Sequence, residues 1–314
     1  MRTPRLAPLL IALALAAGVA CQRGAATTRT AVSSSPSPST SSASYPGPSS
    51  SPSPLDLLPA PDEPFPTGPV ELAARITDTT GRLDAAVDAW VADGDPSTGQ
   101  PPQDVVLLAL YQQRMYRYLV RHSGLAERTI AELDKPTARA ARDIVTAGHE
   151  LYSLVRGHAV KSATTFKVQV PEPAGVLLGT FKRAEQRFHV SWEVLAAVNY
   201  IESKFGRVKS ASYAGAQGPM QFIPSTWQRY GMGGDIHDPH DAIMGAANYL
   251  HASGAPGDNR TALYHYNPSW AYVDAILRYA RRMTKDPRAY FAFYNWQVYV
   301  VTTSGDKRLT GPGL

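Results

Sequence analysis

Cysteine is almost missing from this chain: 314 residues contain one, Cys21. A lone thiol excludes an internal disulfide framework and any cysteine-built metal site. Charged residues are also sparse, at 18%, and the net charge of +5 is dispersed rather than gathered into a stripe, which argues against nucleic acid as a partner. The apolar run at 9–20 is too short for a comfortable transmembrane helix, which needs about 20 residues. No glycine-rich phosphate loop follows a strand, no nucleophile elbow is present and no internal repeat is evident.

What is present begins with a leader. Arg2 and Arg5 precede the apolar run, and small residues precede Cys21, which is the pattern of a secretory signal over 1–21. Gly18-Val19-Ala20-Cys21 resembles a lipobox, although Gly18 stands where the pattern more often has leucine. Cys21 is therefore expected to carry lipid and anchor an exported protein at the outer face of the cell membrane or in the cell wall. Release as a secreted protein is the outcome if the lipobox is not used. Residues 22–67 are mostly Ser, Pro, Thr and Ala; they predict a disordered, semi-extended tether.

Beyond the tether, 68–163 predicts a small antiparallel bundle of three helices. Leu72, Ile76, Leu83, Val87 and Trp90 recur at helical spacing, as do Ile144, Leu151 and Val155. Its role is open between spacing the rest of the chain and docking to glycan or to an envelope-machinery partner. At the other end, 290–314 contains WQVYVVTT, an alternation that predicts a strand-like arm with Gly305 at a turn.

Between these lies the segment with chemical content, 170–289. Ser191 is a candidate N-cap for a nearly all-apolar helix, with Glu193 in its first turn and Gly206 suited to a left-handed position after its end. Leu195, Val198 and Glu202 share one face, so the Glu202 carboxyl enters an apolar setting. Burial raises a carboxyl pKa, and the negative end of the helix pushes the same way, while Lys204 opposes both. A protonated glutamate at neutral pH suits donation of a proton to a leaving oxygen. Taken alone, however, a glutamate near a helix end is more often a solvated turn. The loop SYAGAQGPMQFIPSTW that follows supplies small residues for close backbone approach. It also offers Ser212 and Gln221 as hydrogen-bonding groups and Tyr213, Phe222 and Trp227 as flat apolar faces. The same aromatics could equally enter the core.

These motifs resemble the lytic transglycosylase domain, a lysozyme-like, mainly α fold that cleaves peptidoglycan. The likeness is carried by ESKFG, by SYAGAQGPMQF followed by PSTW, and by ALYHYNPSWAYVDAILRYA, and is nearest to the membrane-bound B-type branch. It covers about residues 175–285, with a shorter spacer between Glu202 and Ser212 than some B-type members have. The resemblance implies that Glu202 is the single catalytic acid and base. It would cleave the MurNAc–GlcNAc bond without water and leave a 1,6-anhydroMurNAc end. It also implies that Ser212 and Gln221 bind around the acetamido group and the sugar at the cleavage point. Tyr266 and Asn267 match the family's Tyr-Asn pair, and Tyr272 matches the tyrosine near the glutamate; Tyr213 is a further substrate-binding candidate. The basic charge suits the anionic envelope. No cofactor is expected.

Two alternatives remain at this level. A water-using muramidase would need a second carboxylate facing Glu202. The candidates are Asp235, Asp238 and Asp241, but Asp238-Pro239 reads as an N-cap and first helical residue, with Asp241 in the first turn. A catalytically silent wall-binding scaffold is the other. His237 and His240 in GDIHDPHD lack a third ligand at a recognisable spacing, so no metal is expected.

Overall fold

The computed structural model describes residues 58–155 and 159–314. The expected signal segment 1–21, with Cys21, and the tether as far as residue 57 lie outside the described residues.

Among the described residues the chain is mainly α-helical, with eleven helices and one hairpin. The segment 68–163 holds four helices where three were expected: α1 (Pro69–Asp93), α2 (Gln103–Arg121), α3 (Ser123–Ala131) and α4 (Lys135–Val155). The apolar spacing of α1 puts Leu72, Ile76, Leu83, Val87 and Trp90 on one buried stripe. The extra helix, α3, is nine residues long and buries only Ala126, Thr129 and Ile130, too little to leave a periodic signal.

Residues 58–67 depart from the expected tether. Leu58 and Phe65 pack against the core, and Phe65 meets Tyr111 and Tyr118 edge to face. Arg114 donates to the Glu63 carbonyl at 2.7 Å, and Tyr111 Oη donates to the Pro64 carbonyl at 3.1 Å. Composition averaged over the Ser/Pro stretch hides these few apolar anchors at its end.

The rest of the chain forms α5 (Ala174–Phe188), α6 (Trp192–Ser203), α7 (Pro224–Tyr230), α8 (Pro239–Ala252), α9 (Asn259–Tyr266), α10 (Trp270–Lys285) and α11 (Arg288–Asn295). A hairpin of β1 (Tyr299–Thr302) and β2 (Gly305–Arg308) follows. Its antiparallel register pairs Tyr299 with Arg308 and Thr302 with Gly305. The expected arm 290–314 is thus a hairpin only from residue 299 onward. Its start belongs to α11, which buries Tyr290, Phe291, Phe293 and Tyr294.

The N-terminal helices do not stand apart from the segment that follows. α10 lies between α4 and α6. Tyr272, Ile276, Tyr279 and Met283 are its buried face, while Arg281 and Arg278 reach across to Asp143 on α4. One apolar core consequently runs from Leu72 and Leu108 through Leu195 and Ile276 to Trp296. Burying each such side chain is worth about 1.5–3 kcal/mol, so the two segments stabilise each other.

Candidate active site

The buried face of α6 is nearly continuous, from Val194 to Ser203, and Glu202 is 4% exposed within it. Ser191 occupies the N-cap position, but its side chain makes no capping hydrogen bond. The helix ends at Ser203, before Phe205, because the chain turns left-handed at Lys204, Phe205 and Gly206 in succession (φ 54°, 59° and 83°). Two of those three carry side chains, a cost of about 1–2 kcal/mol each. Phe205 is repaid by burial among Phe181, Tyr200, Tyr290 and Tyr294.

The loop is tied to α6 on both flanks of Glu202. Asn199 Nδ2 and Ser203 Oγ both donate to the Pro219 carbonyl, at 2.8 and 2.6 Å. Ser203 Oγ also accepts from Gly206 N–H at 2.8 Å, holding the left-handed turn. Asn199, which the sequence reading passed over, positions the loop. Its signal was available, since a polar amide inside an apolar helix needs a buried partner.

The expected site residues divide into two groups. Tyr272 meets Glu202 directly, donating from Oη to Oε1 at 2.6 Å. Tyr266 is buried beside them, and its Oη donates to the Met220 carbonyl at 2.7 Å, so it holds the loop from the far side. Asn267 caps α9 and is 6% exposed, with its Oδ1 unpartnered among the described residues. That leaves it an acceptor free for a ligand. Ser212 and Gln221 have structural duties first. Ser212 Oγ accepts from Ala216 N–H at 3.0 Å, and Gln221 Nε2 donates to the Gly218 carbonyl at 2.9 Å. The Ser212 hydroxyl hydrogen and the Gln221 carbonyl oxygen are left uncommitted by these two bonds. Tyr213 is 77% exposed, a flat face presented to solvent. Phe222 and Trp227, by contrast, meet edge to face; Phe222 is in the core, and Trp227 packs against it beside Gly231 and Gly245.

Burial raises the Glu202 carboxyl to about pKa 8; the Tyr272 hydrogen bond and then the Lys204 charge pull it down. Glu202 is therefore protonated at neutral pH. Lys204 is pushed down to about 7, first by its own burial and then by Arg117. Its ammonium donates to the Tyr200 carbonyl at 3.1 Å and lies 3.9 Å from the centroid of that ring.

The three aspartates weighed as second carboxylates are occupied elsewhere. Asp238 Oδ1 accepts from His240 N–H and Asp241 N–H at the start of α8. Asp241 accepts from Asp235 N–H at 2.9 Å, and Asp235 accepts from His237 N–H. His240 is held by Thr180 at 2.6 Å and Glu172 at 3.1 Å. Among the described residues no three His, Cys, Asp or Glu side chains gather as a metal site would require.

Replacing Tyr272 with phenylalanine removes the one hydrogen bond to the Glu202 carboxyl among the described residues. Such a bond to a charged group is worth about 1.5–3 kcal/mol, so turnover is expected to fall about 10- to 100-fold. The bond favours the ionised form, so its loss should move the alkaline limb of the rate profile to higher pH. A rate–pH profile of the variant checks both; an unmoved limb would remove Tyr272 from the acid's environment.

Compared with known protein families, residues 179–287 match the model of the Transglycosylase SLT domain. The match takes in Glu202, the loop, and the Tyr266, Asn267 and Tyr272 group, and supports a transglycosylase domain that acts on peptidoglycan, with a lysozyme-like, mainly α fold. It leaves out α1–α4, α11 and the hairpin. No curated protein and no solved structure matches the chain.

Proposed function

We propose that this chain is a peptidoglycan lytic transglycosylase that cleaves the MurNAc–GlcNAc bond without water. The observation that carries the reading is the Glu202 carboxyl, buried and held protonated, with the Tyr272 hydroxyl on its Oε1. In the first half of the reaction the Glu202 proton passes to the glycosidic oxygen as the bond from that oxygen to the MurNAc anomeric carbon breaks. The carboxylate left behind is stabilised by the Tyr272 hydroxyl and by the Lys204 charge. In the second half it takes the proton of the MurNAc C6 hydroxyl while O6 bonds to the anomeric carbon. The acid is regenerated and the product ends in a 1,6-anhydro sugar. One carboxylate suffices because the nucleophile comes from the substrate. Occupation of Asp235, Asp238 and Asp241 in local hydrogen bonds fits that economy.

Mass spectrometry of the soluble fragments from purified peptidoglycan tests the reading. Fragments ending in 1,6-anhydroMurNAc support it. Fragments that have gained a water would make the protein a muramidase, and binding without fragments would make it a scaffold.

The signal-like leader and the lipobox-like Gly18–Cys21 support a reading in which this activity acts outside the cell, on a lipid anchor. Cys21→Ser is expected to shift the protein from the membrane fraction to the medium. Unchanged fractionation would mean that Cys21 is not the anchor.

A further inference from the structure

A cavity of about 150 Å³ adjoins the C-terminal turn of α6. Its walls come mostly from outside the segment that matches the transglycosylase family. They are supplied mainly by α2, α4 and the stretch from Trp296 through β1, with Tyr279 of α10 and with Glu202 and Lys204 at its α6 side. It is far above the roughly 10–15 Å³ that a single water requires. Val120, Leu151 and Val300 give it an aliphatic surface.

Its polar groups are mostly donors. Lys204, Arg117 and Arg121 each lie over a ring that also lines the cavity: Tyr200 at 3.9 Å, Tyr299 at 4.1 Å and Tyr152 at 4.7 Å to the centroids. Both guanidiniums share one carboxylate, Asp306 on the hairpin, so the pair keeps an excess positive charge. Trp296 lines the same cavity at 3% exposure, and its Nε1–H is buried with no acceptor among the described residues. A buried donor without an acceptor costs about 1–3 kcal/mol, which a ligand acceptor would recover. Aliphatic walls with cations and a free donor fit a short aliphatic group that carries a carboxylate.

We infer that this cavity is a subsite for the carboxylate-bearing peptide attached to the glycan. It gives α2, α4 and the hairpin a part in choosing substrate. The inference rests on the peptidoglycan reading above. Asp306 competes with the ligand carboxylate for Arg117 and Arg121, which yields a test in two opposite directions.

The measurement is the ratio of kcat/KM on peptide-bearing glycan strands to that on strands stripped of peptide. Arg121→Gln is expected to lower this ratio about tenfold, the effect of one charge-assisted hydrogen bond. Asp306→Asn frees the guanidiniums and is expected to raise it. A merely structural role for the Arg–Asp cluster changes both substrates alike; an unchanged ratio in both variants overturns the inference. If the native protein cleaves neither strand, the functional reading fails by itself. Calorimetric titration with N-acetylmuramoyl-alanyl-glutamate then decides for the cavity. Saturable binding weakened by Arg121→Gln supports it, and no binding overturns it.

Discussion

Replacing Glu202 with glutamine is expected to abolish glycan cleavage and to make the protein more stable at alkaline pH. The amide has no proton to give the leaving oxygen, so a loss of at least about 10³-fold in turnover is expected, within the range that general acid–base groups supply. Glutamine keeps the shape of the side chain and an oxygen that can accept from Tyr272, so glycan binding should persist. The stability effect follows from linkage. The folded carboxyl has a pKa raised to about 8 from an ordinary 4.5. Between those values the folded state holds a proton that the unfolded state has released. The stabilisation linked to that proton is complete below about pH 4.5 and is lost as pH rises through 8. Glutamine has no such loss, so the variant's advantage should grow with pH, to on the order of 2–4 kcal/mol at pH 8. Urea unfolding of both proteins at pH 5 and pH 8 measures it. A variant that unfolds more easily at pH 8 would mean that Glu202 holds the fold together and is not an acid kept at a cost. The same ionisation sets the rate profile of the native enzyme: activity depends on the protonated form and should decline as pH rises through about 8.

The second large effect is structural. Gly218→Ala should destabilise the protein by roughly 3–5 kcal/mol and take activity with it. Gly218 sits at φ +73°, and a Cβ placed there would lie 1.8 Å from the Ile236 carbonyl oxygen. That obstacle is backbone, and the Gly218 carbonyl also accepts from both the N–H and the Nε2 of Gln221. Relief would have to move the loop away from Ile236 and disturb the Pro219 carbonyl that binds Asn199 and Ser203. Gly215→Ala is the control. Its φ is +80°, but nothing lies within 4 Å of the added methyl, so only the left-handed penalty of about 1–2 kcal/mol applies. Thermal unfolding of the two variants should separate them clearly. Equal, small losses would show that the loop can shift at no great cost.

Lys204 illustrates how far local reading reaches. That it opposes the burial of Glu202 follows from charge and proximity in sequence. That it is itself pushed down to about 7, first by burial and then by Arg117 of α2, follows only from the packing of elements more than eighty residues apart. The aromatics of the loop divide for a similar reason. Tyr213, Phe222 and Trp227 are equivalent by composition. Gly231 and Gly245 leave room for the Trp227 ring, which draws Trp227 and Phe222 inward and leaves Tyr213 outside. The extra helix α3 and the packing of Leu58 and Phe65 were illegible because a few apolar residues, without period, do not announce which surface will cover them.

By itself the sequence determined the local devices: the apolar helix that carries Glu202, the aspartate cap of α8, the glycines of the loop and the strand alternation near residue 300. Each depends on neighbours a few residues away, where backbone sterics and hydrogen-bond geometry act. The resemblance pointed to Tyr272 near Glu202, but only tertiary structure supplied the bond itself, 2.6 Å across seventy residues of chain, and how strongly burial shifts that carboxyl. It also decided that α2, α4 and the hairpin would wall the adjoining cavity. Desolvation and long-range contact depend on which surfaces meet when the core forms, and no window of residues contains that information.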